Sequence, residues 1–166
     1  MRTSRALALI VLFFVAVGAA WWWFHRSPAF GDSITVYYTK PDGTTLAPWR
    51  VSLGPARDPQ SVAFYAATQA VAGPPPGTDA VRFPAGTRVR SVHVHGTTAD
   101  VDLSKEVAGS SQEGSFAEAA EFKALVWTLT QPSLHVSTVT VTVDGAQVAT
   151  LPGGHLELDG LTRSSF

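Results

Sequence analysis

Two histidines and two aspartates alternate along one short stretch of this chain. His93 and His95 stand two apart in SVHVH, and Asp100 and Asp102 two apart in ADVDL. Imidazole and carboxylate are usual ligands of zinc and its neighbours, so four such groups on one surface could hold a divalent cation. A metal site also needs an enclosing third element and outer hydrogen bonds that orient the ligands. Nothing in the stretch supplies either, and a favourable cross-strand pair on a solvent-facing strand accounts for the same residues. Paired carboxylates could do acid–base work as in glycosidases, with Glu157 and Asp159, or Asp100 and Asp102, as candidates. Neither pair is set among apolar residues able to raise a pKa. Ser110, Ser111 and Ser115 lie in a glycine-containing stretch, but no G-x-S-x-G elbow surrounds them. No phosphate-binding glycine loop follows a strand, and Gly153-Gly154-His155 reads as turn chemistry. No catalytic, cofactor-binding or metal-ligating residue is assigned, and no cofactor is expected.

The element that must position the histidines and aspartates is Pro84 to Glu106, PAGTRVRSVHVHGTTADVDLSKE. Val92 and Val94 alternate with Ser91, His93 and His95, and Ala99, Val101 and Leu103 alternate with Thr98, Asp100 and Asp102. Strict alternation puts one residue set on each face of a strand. Gly96-Thr97 lies between the runs, where a two-residue turn needs tolerance of positive φ. A turn there sets Val94 opposite Ala99, His93 opposite Asp100 and Val92 opposite Val101, so register and hydrophobic pattern agree.

Further hairpins flank it. SITVYYT (33–39) alternates and leads into the turn Pro41-Asp42-Gly43, with WRVSL (49–53) returning. VSTVTVTV (136–143) precedes Asp144-Gly145, a strong hairpin signal; 146–151 returns, and HLELD (155–159) closes the domain as a strand. Two helices lie between the strand pairs. Asp58 caps the first and Pro59 suits its first position, with Val62, Phe64, Tyr65, Ala66, Ala67 and Val71 on a broad buried face. Ser115 and Glu118 form a capping box at the start of the second. There Phe122, Leu125, Val126 and Leu129 face the core, while Glu118, Glu121 and Lys123 remain in water. The aromatic residues Trp49, Tyr65, Phe122 and Trp127 are expected to pack. The expected fold is α+β: an antiparallel-rich sheet built from hairpins, with two helices on one face, preceded by an N-terminal transmembrane helix.

That last element is Ala6 to Phe24, ALALIVLFFVAVGAAWWWF, an uncharged apolar run. It is about as long as a bilayer's hydrocarbon core is thick. Arg2 and Arg5 precede it and Trp21, Trp22 and Trp23 end it, the arrangement of an anchor with its N-terminus in the cytoplasm. Gly18-Ala19-Ala20 could alternatively be the cleavage site of a signal peptide. Both readings place the rest of the chain outside the cytoplasm. Removing Arg2, Arg5 and Arg26 from the 12 basic residues leaves 9 against 13 acidic ones, a charge of −4. A mildly acidic domain does not suit nucleic acid, which selects basic surfaces. The chain has no cysteine, which excludes disulfides, thiolate metal sites and lipid-modified cysteine. The expected organisation is an anchor or signal peptide over 1–26, a linker over 27–32, one domain over 33–161 and a tail over 162–166.

The order of motifs resembles the GerMN domain family, which takes its name from a bacterial sporulation and spore-germination protein. The matching pieces are VYYTKPDGTTLAP, a helix ending AVAGP, and FPAGTRVRSVHVHGTTADVDLSKE. The helix GSFAEAAEFKALVWTLTQ and then VTVTVDGAQVATLPGGHLELD follow. The resemblance implies an extracytoplasmic domain behind a membrane or lipoprotein anchor, a fold similar to ring-building motifs of secretion-type assemblies, and a role in protein assembly. The family has no established catalytic residues to carry over, and His93 and His95 are not part of its pattern. Nothing in the sequence itself points to sporulation. The resulting expectation is a single-pass cell-membrane protein whose domain outside the cytoplasm is a non-catalytic interaction or envelope-assembly module. Its partner would be an envelope protein or a second copy. The alternatives are a secreted or periplasmic form after signal cleavage, and an envelope enzyme or ligand- or metal-binding protein using the polar face of the 89–103 hairpin.

Overall fold

A computed structural model of the chain describes residues 12–22 and 30–166, the side chains of residues 110–113 excepted. Helix α1 covers residues 12–22, with its side chains exposed. Among the described residues no helix is long and apolar enough to cross a membrane. The expected span Ala6 to Phe24 extends at both ends beyond the described residues, as does the first half of the linker.

The remaining elements make an α+β domain. Strands β1 (Ser33–Thr39) and β2 (Leu46–Ser52) pair antiparallel, Ile34 with Val51, Val36 with Trp49 and Tyr38 with Ala47. Asp42 builds their turn: its Oδ1 accepts from the amides of Thr44 and Thr45, both at 2.8 Å. Helix α2 (Pro59–Ala72) starts as its sequence dictates, with Asp58 accepting from the Ser61 amide at 2.9 Å and proline in the first turn. It buries Val62, Ala63, Ala66, Ala67, Ala70 and Val71. Phe64, expected on that face, points outward and is 40% exposed.

The β3 (Val89–His95) and β4 (Thr98–Leu103) hairpin has the expected register, His93 with Asp100, Val92 with Val101 and Val94 with Ala99. Gly96 takes φ 59° in its turn. A bulge interrupts the pairing between Val89 and Ser91. A 3-10 segment (Lys105–Glu113) leads to helix α3 (Ser115–Leu129), then strands β5 (Thr138–Val143) and β6 (Ala146–Gln147). The β5–β6 turn uses Asp144 and Gly145, both at positive φ, as a hairpin of this length requires.

Several expectations change. The hairpins do not form one sheet: β1 and β2 make a two-stranded sheet, and β3-β4-β5-β6 a separate four-stranded one. Within the latter, β4 and β5 run parallel, because α3 carries the chain back before β5 begins. The return strand expected over 146–151 shrinks to two residues. His155–Asp159 is not a strand; its segment instead gives single contacts to β5, where the Val141 amide donates to Leu158 O at 2.9 Å and Val139 bridges Leu161.

Helix α3 departs most from its pattern. Gly114 precedes it and no side-chain cap forms, so the capping box is absent. Glu118 and Glu121 are buried, not solvated, at 0% and 1% exposure. The helix is enclosed on several sides at once, touching β1, α2, β5 and the 3-10 segment before it. A polar stripe on such a helix has no solvent to face. Phe122, Leu125, Val126 and Leu129 join the core as expected, Phe122 edge-on to Phe83 at 5.6 Å. Trp127 is half-buried, between the Arg163 guanidinium at 5.6 Å and Lys123 Nζ at 5.5 Å.

Candidate functional site

The inner face of the four-stranded sheet buries Val92, Ala99, Val101, Leu103, Val139 and Val141. Alternation therefore puts Ser91, His93, His95, Asp100, Asp102, Thr140 and Thr142 on the outer face. The sheet does bring the two histidines and two aspartates to one surface, where His95 and the two aspartates are engaged by neighbouring side chains and backbone. His95 Nδ1 lies 3.3 Å from Asp100 Oδ2, a diagonal pair in place of the direct His93–Asp100 one. Asp102 is the better-held acid. Its Oδ1 accepts from Thr142 Oγ1 at 3.0 Å and from the Gly145 amide at 2.7 Å, and its Oδ2 lies 3.4 Å from Arg90 Nε. Arg90 also donates to Asp144 at 2.5 Å. Asp102 thereby ties β4 to the β5–β6 turn. Its role is to fasten the sheet, and no three histidine or acidic side chains converge among the described residues in the way a metal needs. Of the second acid pair, Asp159 accepts from Thr140 Oγ1 at 3.1 Å, while Glu157 is exposed on the loop before it.

Gly153-Gly154-His155 does meet an acid, from a direction the sequence did not suggest. The loop closes over α3, and Glu118 Oε2 accepts from the His155 amide at 3.2 Å. A Cβ on Gly154 would collide with Glu118 Oε1 and sit 2.9 Å from its Cδ. The glycine is needed because backbone and carboxyl are in direct contact. Glu118 Oε1 itself is buried and takes no hydrogen bond among the described residues. Ser110 and Ser111 lie in the 3-10 segment with side chains outside the description, and Ser115 is exposed at the start of α3.

Among the described residues, four of the surface clefts measure roughly 280–480 Å³. They are lined mainly by turns and by apolar or hydroxyl side chains, such as Pro41, Phe83 and Phe116 in one and Leu53, Pro55 and Phe64 in another. His93, Asp100 and His155 line none of the four. Trp49, expected to pack, is 44% exposed on β2, and Phe116 is 58% exposed beside the β1–β2 turn. The domain thus exposes large apolar side chains and carries one of them on the β2 strand, and sequence reasoning missed both. Their signal was available only in part: Pro48 in a strand marks an edge.

Comparison with known proteins gives this geometry its setting. A sequence profile described as Germane, sporulation and spore germination, matches residues 35–149. The chain belongs to this family. Its GerMN domain is similar to the first GerMN domain of the sporulation protein GerM from Bacillus subtilis, with 26% identity and a TM-score of 0.61, over 80% of this chain and 98% of that one. The tandem GerMN domains of the same protein align at 25% identity and a TM-score of 0.60; this chain spans 47% of that longer one. A putative lipoprotein from Clostridium perfringens shares the fold, at 18% identity and a TM-score of 0.58 over 80% of this chain and 87% of that one. No curated protein matches the chain in sequence. The matched region of the GerMN domain runs from β1 to the residues after β6, so it contains both sheets, α2 and α3.

Proposed function

We propose that this chain presents its GerMN domain outside the cytoplasm, tethered by the apolar N-terminal segment, as a non-catalytic protein-interaction module in cell-envelope assembly. The observation that carries the reading is that both acids of the polar face are engaged by neighbours. His95 lies beside Asp100, and Asp102 is held by Thr142, Gly145 and Arg90, so both acids are occupied and Asp102 fastens the sheet. A catalytic carboxylate or imidazole needs a free position aimed at a substrate, and these two acids are spent on neighbours. Exposed Trp49, Phe64 and Phe116 are the residue types that anchor protein contacts. The similarity to GerM, a sporulation protein, supports a role in bacterial envelope remodelling.

Photo-crosslinking from Trp49 and Phe116 in intact cells, with mass spectrometry of the adducts, tests the interaction role. The expected result is a defined adduct of higher mass that disappears when the photoreactive group is moved to His93. Recovery of uncrosslinked monomer alone at both positions defeats the proposal. Protease accessibility of the domain in right-side-out cells tests the placement; protection until the membrane is broken would overturn it.

A further inference from the structure

The strand edges of this domain are not guarded alike. The outer edge of β1 is covered by α3: Thr128 Oγ1 accepts from the Tyr37 amide at 2.9 Å, and Gln131, just beyond the helix, donates to Thr35 O at 3.0 Å. The outer edge of β3 is clamped by one side chain of α2. Gln60 donates through Nε2 to Val92 O and accepts through Oε1 from the Val94 amide at 2.9 Å, as a neighbouring strand would. Beyond β5 lie β6 and the Leu158–Leu161 segment. Strand β2 differs. Its packing partner is β1, and Pro48, Trp49, Arg50 and Ser52 are exposed.

Register shows which β2 groups are open. Thr35, Tyr37 and Thr39 turn their backbone groups away from β2, since Gln131, Thr128 and the Val81 amide meet them there. Ile34, Val36 and Tyr38 therefore bond to Val51, Trp49 and Ala47. Alternation leaves Leu46, Pro48, Arg50 and Ser52 pointing to the outside. Three of these offer both an amide and a carbonyl; Pro48 offers a carbonyl alone.

With a second copy as partner, the missing donor selects the register. When β2 pairs antiparallel with β2 of a second copy about a twofold axis, residues facing outward must meet residues facing outward. Pro48 against Pro48 joins two donorless positions and leaves both carbonyls idle. Arg50 against Arg50 sets like charges opposite each other. Pro48 against Arg50 avoids both faults. The Arg50 amide donates to the Pro48 carbonyl, Leu46 and Ser52 exchange both bonds, and Trp49 falls on the axis facing Trp49 of the second copy. That is a non-hydrogen-bonded position, where cross-strand aromatic pairs sit closest.

We infer that the β2 edge is a self-association surface, on which two copies of this chain pair strand to strand with Trp49 on the twofold axis. The inference rests on the interaction reading above and names one partner for it. The contact is small beside a standard interface of about 1,600 Å², so the dimer is weak in dilute solution and strengthened when both copies are held on one surface.

The absence of cysteine makes the register testable in the full chain. With Trp49→Cys as the sole thiol, in chains reconstituted in phospholipid vesicles, mild oxidation is expected to give a disulfide dimer. It forms at least about tenfold faster than with Ala47→Cys or Val51→Cys alone, because residue 49 meets itself and the others do not. A mixture of Ala47→Cys and Val51→Cys chains, separately tagged, crosslinks between tags. Adding Arg50→Pro to Trp49→Cys abolishes the dimer while leaving Tm near that of Trp49→Cys, since the Arg50 amide points away from β1. To keep the indole present, sedimentation of the wild-type chain in detergent should show a concentration-dependent dimer that Arg50→Pro removes. Crosslinking at position 49 no faster than with Phe116→Cys, or unaffected by Arg50→Pro, overturns the inference. If that happens while the wild-type chain still yields an adduct with another envelope protein, the interaction reading stands and only the self-pairing falls.

Discussion

The acids of β4 and the acids of α3 have opposite fates. Asp100 and Asp102 follow their strand's alternation onto an outer face, where water, a histidine and an arginine receive them. Glu118 and Glu121 follow a helical pattern that looks equally solvent-facing and end in the interior. The difference lies in what packs on each element. Among the described residues no helix or sheet is laid over one face of the four-stranded sheet, so period two decides exposure. Helix α3 has a sheet, a helix and two connecting segments around it, so its period decides little. A buried carboxyl must then find local partners, and Glu118 has the His155 amide. The same contact explains why the loop needs Gly154.

This contrast predicts stability effects that descend from α3 to the sheet face and the turns. Glu118→Ala removes the acceptor of the His155 amide and opens a void, and should cost about 2–4 kcal/mol in urea denaturation. Glu118→Gln keeps an acceptor oxygen and should cost about 1 kcal/mol or less. Next comes Gly154→Ala, whose methyl collides with Glu118, at about 1–3 kcal/mol. Its cost should shrink in a Glu118→Ala background, where the void accepts the methyl; simple additivity would show that the contact is not the cause. Asp102→Ala loses hydrogen bonds to Thr142 and Gly145, for about 1–2 kcal/mol. A larger loss from Asp102→Ala than from Glu118→Ala would reverse the comparison. His95→Ala breaks an exposed pair and should change stability by under about 0.5 kcal/mol, within ordinary surface variation.

A pH-dependent effect concerns the β1–β2 turn. The Asp42 carboxyl is held down to about 2 by hydrogen bonds from Thr45, side chain and then amide, and from the Thr44 amide. A depressed folded value means that its contribution is complete above the ordinary carboxylate range, near 3.8, and is lost as pH falls towards about 2. Thermal melts of wild type and Asp42→Asn should therefore differ at pH 5 and converge near pH 2. A gap that widens on acidification would contradict the assigned hydrogen bonds.

The local devices were legible in the sequence. Asp58-Pro59 announced α2, Gly96 and Asp144-Gly145 announced two tight turns, and alternation gave the register of β3 with β4. The order of motifs also carried the family. Each of these rests on φ preferences and nearest-neighbour bonds within a few residues. The expected capping box at Ser115 failed because its Glu118 was drawn to a loop 37 residues later.

What the sequence by itself determined is therefore local: where helices begin, where hairpins turn, and which face of β3 and β4 is polar. What only the tertiary structure decided depends on which surfaces meet. The parallel junction of β4 with β5, the burial of Glu118, the closing of β3 by Gln60 and the open edge at β2 all join residues far apart in the chain. No local preference encodes such contacts, because they form only when separate elements bury their apolar faces together.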